Sequence, residues 1–390
     1  MTKLRTLGDL DLRGRRVLLR VDFNVPMEEG VILDDTRIRA ALPTIQYLLD
    51  HEASTVICSH LGRPRGEAVP KLSLRPVAQY LERLAGRPVS FVAQTVGVEA
   101  TDAALSLAPG ELLVLENTRF HIEETENEPE FARQLAALGE VYVNDAFGTV
   151  HRAHASTEGV AHFLPSAAGM LVEREVQYLE SALQDPERPF VAVLGGAKIS
   201  DKIGVVDSLI ERTEALLIGG GMGNTFLAAQ GFNMSESLVE PESFEVALEL
   251  IDKAGSRLHL PLDVVVADDL SAVAATQVVD INEVSDGWQV LDIGPQTLDL
   301  FSSSVRRAGT VFWNGPMGVF ELEPFAGGTI GLANAIAQST ALSIVGGGDS
   351  AAAIRQAGLA DEITHLSTGG GAALALLEGK PLPGLAVLQD

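Results

Sequence analysis

Ser343–Ala353, SIVGGGDSAAA, is the stretch whose reading decides the fold. Ser343–Val345 close a run of small and β-branched apolar residues, which reads as the end of a buried strand. Three glycines follow, then Asp349 and Ser350, then helix-forming alanines. Glycines let backbone approach a ligand with no Cβ in the way. The helix that follows offers free N–H groups and the positive end of its dipole to an anion. Asp349 adds an oxygen ligand of the kind Mg²⁺ prefers, and Ser350 a hydroxyl for a phosphate or a metal. That is half of a nucleotide–phosphate site. The stretch alone fits equally well a tight βα turn with Asp349 as the N-cap, so the rest of the chain has to decide.

The sequence has 390 residues, a length that points to two domains. It is 46% hydrophobic and only 5% aromatic, so its cores are built from Val, Leu, Ile and Ala. A formal net charge of −25 argues against a nucleic-acid or anionic-membrane partner. Basic residues gathered around one anion would stand out against that background. Cys58 is the single cysteine, which excludes an internal disulfide and a cysteine metal site. The first sixteen residues, MTKLRTLGDLDLRGRR, lack the continuous apolar core of a signal peptide. No apolar run approaches the length of a membrane span. The expectation is a soluble, cytoplasmic protein.

In the first half, strands end in arginine and histidine. Val17–Val21 reads as a buried strand followed by Asp22, Phe23 and Asn24. Asp34–Asp50 carries Ile38, Leu42, Ile45 and Leu49 at helical spacing, with Arg37 where loop becomes helix. Pro43 must kink that helix or start it. Ser54–Cys58 is followed by His60, Leu61, Gly62 and Arg63; Leu112–Leu115 by Asn117 and Arg119; Val141–Val143 by His151, Arg152 and His154. Helical segments such as Arg75–Leu84 and Glu130–Leu138 alternate with these strands, which argues for a parallel sheet with helical crossovers. Ligands of such sheets bind beyond the carboxyl ends of the strands. Guanidinium forks there suit carboxylate and phosphate, and Asp22 and Asn24 suit hydroxyl groups. One such arginine is more simply a surface ion pair; several at successive strand ends imply a small, strongly anionic ligand. His51 and His121 read as ordinary surface or core residues.

Val172, Val176, Leu179 and Leu183 form one apolar helical stripe, broken by Asp185-Pro186-Glu187-Arg188-Pro189. A domain boundary is expected there. Beyond it, strands end in glycine: Phe190–Leu194 before GGAKISDK, Ala215–Ile218 before GGGMGNTF, Thr310–Trp313 before NGPMGVFE, then SIVGGGDS and STGGGAAL. Val264–Ala267, before Asp268 and Asp269, reads as one more strand of this series. Repeated glycine turns mean that backbone comes close to something flat or anionic. Lys198 and Lys202, four apart, can place two ammonium groups on one face. Glu321 can accept from ribose hydroxyls, and Gly369–Gly371 open the last helix with bare amides. No G-x-x-x-x-G-K-[ST] is present, so this is not a P-loop protein. Gly346, Gly348 and Ala351 fit the looser G-x-G-x-x-A dinucleotide pattern, which keeps an NAD-dependent oxidoreductase open. A non-catalytic anion-binding protein using only the arginine edge is a further alternative, one that leaves the glycine turns without a purpose.

RVDFNVP (Arg20–Pro26), SHLGRP (Ser59–Pro64), ENTRF (Glu116–Phe120), NDAFGTVHRAHAS (Asn144–Ser156), GGAKISDKI, GGGMGNTF, WNGPMGVFE, GGGDS and STGGGA fall in order along almost the whole chain. Together they resemble the phosphoglycerate kinase family. The resemblance implies an α/β enzyme of two doubly wound, Rossmann-like parallel-sheet domains joined by a helix, with a cleft between them. The domains would be residues 1–171, with 375–390 packing back on them, and 186–374, joined by a helix over 172–185. The implied activity is reversible phosphoryl transfer from 1,3-bisphosphoglycerate to ADP, giving 3-phosphoglycerate and ATP, by a monomer using Mg²⁺ at Asp349. The glycerate ligand would be held by Asp22, Phe23, Asn24, Arg37, His60, Leu61, Gly62, Arg63, Arg119, His151 and Arg152. Gly196, Ala197 and Gly294 would line the adenine pocket and Glu321 would hold the ribose. Lys198, Lys202, Asn314 and Gly347, Gly348, Asp349 and Ser350 would meet phosphates and magnesium. Ser350 stands where threonine is usual, keeping the hydroxyl. Gly223 stands where alanine is more usual, with a looser turn expected near the nucleotide.

The reacting group on the glycerate is a carboxylate, ionised far below pH 7, so no general base is needed. The chemistry needs alignment of two anions and neutralisation of charge on the phosphoryl group. That task falls to Arg37, Lys198, Lys202, Mg²⁺ through Asp349, and the amides of Gly370 and Gly371. Domain closure is expected to exclude water from the acyl phosphate.

Overall fold

Arg16–Arg20, RVLLR, is buried along nearly its whole length and packs Val17 and Leu19 into an apolar cluster. A strand buried on both faces calls for parallel neighbours with helices on either side. The computed structural model describes residues 3–390 and places this strand inside a six-stranded parallel sheet. The order across it is Val89–Phe91, Leu112–Val114, Ser54–Cys58, Arg16–Arg20, Val141–Asn144, Ser166–Ala168. The helices Thr36–Asp50 and Arg75–Ala85 bury Ile38, Ile45, Val77 and Leu81 against it. A second six-stranded parallel sheet runs Leu258–His259, Ala215–Ile218, Phe190–Leu194, Thr310–Asn314, Leu342–Gly346, His365–Leu366. Counted along the chain within that sheet, the order is the 3-2-1-4-5-6 of a doubly wound nucleotide-binding domain.

The chain divides into two units, Met1–Gln177 with Pro381–Asp390, and Tyr178–Lys380. The connecting helix is Met170–Gln184. Within the first unit the C-terminal segment is tied down by Arg5 N–H to Leu388 O at 2.8 Å and by Gly384 N–H to Val150 O at 2.9 Å. Residues 375–380 belong to the second unit, where Gly370–Leu377 is helical.

Two elements depart from the sequence reading. Asp263–Ala267 is not a strand of the parallel sheet. It is the middle of a separate antiparallel sheet between Thr276–Asp280 and Gln289–Ile293. Only residues 268–275 join it to the next strand, too few for a parallel crossover. Pro43 neither starts nor ends its helix, which runs through it from Thr36 to Asp50. The proline ring is exposed while Ile38, Ala41, Ile45 and Leu48 are buried, so packing of that face outweighs one missing hydrogen bond.

Gly223 lies inside the helix Gly220–Ala229 and not in a turn. A Cβ there would first meet Ile218 O at 3.5 Å and Pro261 Cγ at 3.6 Å, ordinary contact distances. Gly223→Ala should therefore stabilise the protein by about 0.5–1 kcal/mol. Chemical denaturation checks it; a loss of stability would mean that Ile218 and Pro261 leave no room for the methyl group.

Candidate functional site

In the first sheet, four neighbouring strands deliver their carboxyl ends side by side. Those ends carry Asp22–Asn24, His60–Arg63, Asn117–Arg119 and the turn holding His151 and Arg152. Arg37, on the first turn of its helix, donates from NH1 to Asn24 O at 2.6 Å and stands 3.7 Å from Asp22 Oδ1. Asn24 Oδ1 accepts from Gly62 N–H at 2.8 Å, which fastens one strand end to the next. Arg119 is 6% exposed and donates from NH1 to Gly62 O at 2.8 Å, yet its Nε and NH2 are buried with no partner. His151 Nε2 accepts from Arg152 Nε at 3.1 Å, so the proton of the neutral ring sits on Nδ1, which is also buried without a partner. Buried donors left unpaired are costly, and here they lie close to the charges of Arg20, Arg37 and Arg152. An anion is the group that satisfies them.

His60 is 3% exposed, and its Nδ1 lies 3.2 Å from Arg20 NH2. Burial, followed by the charges of Arg20, Arg119, Arg37 and Arg152, pushes its pKa well below the ordinary histidine value. The ring is neutral, and since Arg20 can only donate, Nε2 carries the proton. Nitrogen NMR at pH 6 should show His60 neutral with the Nε2–H tautomer. A protonated ring at that pH would contradict this arrangement.

Arg20 is the residue that sequence reasoning missed. It is fully buried and donates from Nε to Ser156 Oγ at 2.7 Å, while Ser156 Oγ donates to Glu124 Oε1 at 2.6 Å. Glu124 is itself fully buried and balances the arginine. The available signal was a cation at the end of an otherwise apolar strand. Other residues reach the site differently from the expectation. Phe23 has its side chain in the apolar core, and only its backbone N–H, donating to Ser59 Oγ at 2.9 Å, belongs to the strand end. Leu61 is buried, with both backbone groups bonded to Asn117. Arg63 is exposed and makes no hydrogen bond among the described residues.

In the second sheet the order reverses between Phe190–Leu194 and Thr310–Asn314, and the glycine turns gather at that crevice. One cavity there, of about 350 Å³, is lined by Lys198, Lys202, Asn314, Gly347, Gly348, Asp349, Ser350, Gly370 and Gly371, along with Gly196 and Ala197. The sequence-predicted phosphate residues are thus brought together. Gly315 has φ +94°, and a Cβ on it would lie 2.3 Å from Gly195 O. Gly347 has φ +96°, and its Cβ would lie 2.9 Å from Asn314 Nδ2. Only glycine permits both the turns and the close approach. The helices Gly348–Gln356 and Gly370–Leu377 begin at this cavity. Lys202 Nζ donates to Gly195 O at 2.6 Å and to Asn314 O at 3.3 Å. Burial lowers its pKa to about 8, although Asp349 and Asp201 pull the other way. Ser350 is fully buried and its Oγ accepts from Gly315 N–H at 2.6 Å, so it ties two loops together. The N-cap is Gly347, not Asp349, which is exposed in the first turn.

A second cavity of about 330 Å³ adjoins it through Gly196, Ala197 and Asp349. Its walls are Gly220, Gly221, Leu238, Pro261, Val264, Leu270, Ile293, Met317 and Val319, with Glu321 exposed at the rim. A largely apolar slot with Glu321 at its rim suits a base and a ribose. Gly294 does not line it. It precedes the helix Pro295–Arg306, and a Cβ on it would sit 2.3 Å from the Asp263 carboxyl carbon, so close packing on Asp263 explains the glycine. Asp361 and Glu362, the acidic residues after the G-x-G-x-x-A run, lie in a short turn before His365–Leu366, not at a strand end. The dinucleotide reading therefore lacks its ribose ligand.

A family model described as phosphoglycerate kinase matches residues 7–380. Among curated proteins, the phosphoglycerate kinase of Chloroflexus aggregans is 59% identical over 99% of both chains. That of Moorella thermoacetica is 57% identical over 100% of both. The solved phosphoglycerate kinase structure from Coxiella burnetii superposes with a TM-score of 0.89 at 42% identity over 99% of each chain. The one from Pyrococcus horikoshii does so at 0.88 and 34%, over 99% of this chain and 98% of its own.

Proposed function

The chain belongs to the phosphoglycerate kinase family, and from that premise we propose which of its residues perform the reaction. It is a phosphotransferase with a carboxyl acceptor, passing phosphoryl reversibly between 1,3-bisphosphoglycerate and ADP. The buried, unpartnered guanidinium edge of Arg119 carries the assignment of the glycerate site, because it demands an anion where Arg37, Arg152 and neutral His60 also converge. In this reading Arg119, Arg152 and His151 bind the phosphate end of the glycerate. His60 Nε2–H and Asn24 orient the ligand, Asp22 takes a hydroxyl, and Arg37 faces the reacting carboxylate.

The nucleotide lies with its base in the apolar slot, its ribose at Glu321 and its phosphates over the amides of Gly348, Gly370 and Gly371. Lys202 spends two of its three ammonium protons on backbone carbonyls, which leaves the third for the transferring phosphoryl group. Lys198, exposed beside it, supplies a second charge. No residue is asked to move a proton, because the acceptor is already ionised. Transfer is then a matter of alignment and neutralised charge.

Asp349 fits the role of magnesium ligand. Among the described residues no three acidic, histidine or cysteine side chains cluster to cage a metal. Asp349 and Asp201 are the carboxylates that line the phosphate cavity, and one or two carboxylates with nucleotide oxygens and water completing the shell is how Mg²⁺ is usually held. Bound there, the ion would neutralise phosphate charge. Among the described residues no helix is long and apolar enough to cross a membrane. We assign the enzyme to the cytoplasm as a monomer. A coupled assay of ATP-dependent phosphorylation of 3-phosphoglycerate, with and without Mg²⁺, tests the whole reading. Turnover that needs both substrates and the metal is expected, and its absence would overturn it.

A further inference from the structure

Ser200 sits between the two lysines of the segment Gly195–Lys202. Its backbone N–H donates to Glu240 Oε2 at 3.0 Å and its hydroxyl donates to Glu240 Oε1 at 2.6 Å. Glu240 comes from a different part of the chain and is 6% exposed. It lies outside the glycine motifs and lines neither cavity. Its own N–H donates to Thr225 Oγ1 at 3.2 Å, and Thr225 Oγ1 donates to Gly221 O at 3.2 Å, so it is fixed to the helix Gly220–Ala229. A buried carboxylate is costly unless both oxygens are engaged, and here Ser200 engages both.

The front of the lysine segment is held by Lys202 Nζ, which donates to Gly195 O at 2.6 Å, and by backbone. Gly196 N–H donates to Pro316 O at 2.8 Å, and Met222 N–H donates to Gly196 O at 3.0 Å. The back is held at Ser200 by Glu240. Lys198 lies between these two anchors, is exposed, and makes no hydrogen bond among the described residues. Its placement over the phosphate cavity therefore depends on the backbone on either side. Burial raises the pKa of Glu240, but the Ser200 donors, the Ile199 N–H and the Lys198 charge outweigh it and leave the carboxyl below its ordinary value.

We propose that Glu240 is a positioning residue for phosphoryl transfer: its carboxylate clamps Ser200 and so fixes where Lys198 delivers its ammonium group. The inference rests on the phosphoglycerate kinase reading above, since without phosphoryl transfer Lys198 has no task. A glutamine at 240 fills the same space but is uncharged and offers one acceptor oxygen, so the Ser200 hydroxyl must turn from donor to acceptor and both charge-assisted hydrogen bonds are lost.

The test uses steady-state kinetics of the full chain with ATP and 3-phosphoglycerate, normalised to folded protein. Glu240→Gln should lower kcat about tenfold, the kind of loss that a displaced catalytic group brings. Ser200→Ala should lower it about threefold, and the double variant should be no slower than Glu240→Gln alone, because the two residues act as one clamp. KM for 3-phosphoglycerate should stay unchanged in all three. A kcat within twofold of wild type in Glu240→Gln, or effects that multiply in the double variant, would overturn the proposal. If Glu240→Gln does not fold, Ser200→Ala decides alone, and wild-type kcat there overturns it. Wild-type turnover stands apart as the test of the function, so an active wild type with unaffected variants removes only the clamp.

Discussion

Arg37→Ala should lower kcat by about 10²–10³-fold, with a much smaller change in KM for 3-phosphoglycerate. Arg37 is half-buried and spends NH1 on Asn24 O at 2.6 Å. The rest of its fork makes no hydrogen bond among the described residues, which in the proposed reading leaves it for charge that builds up on the phosphoryl group. In the proposed reading glycerate binding does not depend on it alone, because Arg119, Arg152 and His60 lie close to one another and share the ligand. An interaction made mainly in the transition state shows in turnover and not in affinity. Should KM rise by the full factor while kcat holds, Arg37 would be a binding residue only.

Lys202→Met should cost at least as much in kcat/KM for ATP, about 10²–10³-fold, and should also change the pH profile. In the free protein burial holds the Lys202 pKa at about 8. In the proposed reading nucleotide binding needs the charged form, so wild-type affinity for ADP should weaken by about tenfold per pH unit above 8. The stability effect runs the other way. Below pH 8 the fold carries a desolvated cation, and that cost disappears as pH rises from about 8 toward the ordinary lysine value. On its own, then, Lys202 makes the unliganded fold more stable across that window while nucleotide affinity declines. Calorimetric titration of ADP from pH 7 to 10 would show the alkaline limb in the wild type and its loss in Lys202→Met. A limb that persists in the variant would assign the titration to another group.

Much of this site was legible in the chain because its chemistry is local in sequence. Phosphate cavities are made of backbone amides, and glycine runs such as Gly346–Gly348 announce where backbone must be bare. Arginines placed after consecutive strands announce a shared anion, since parallel strands bring their carboxyl ends to one edge. The family resemblance then supplied roles that spacing could not, such as a glycerate in one half and a nucleotide in the other. It did not tell what holds Phe23, Leu61 and Gly294 in place. Their side chains or contacts serve the core and the loop scaffold, a distinction that a motif does not carry.

By itself the sequence determined two parallel α/β sheets, the strand ends that carry charge or glycine, and the residue types that meet an anion. These follow from hydrophobic period, turn chemistry and the dislike of unpaired charge for an apolar strand. Only the tertiary structure decided which partners each polar group has. It put Arg20 beneath His60 and so chose the imidazole tautomer, left Nε and NH2 of Arg119 unpaired, buried Lys202 enough to soften its charge, and set Glu240 behind Ser200. It also removed Asp263–Ala267 from the parallel sheet. The physical reason is the same each time: hydrogen bonding and desolvation depend on distances between residues far apart in the chain, and no local pattern encodes those distances.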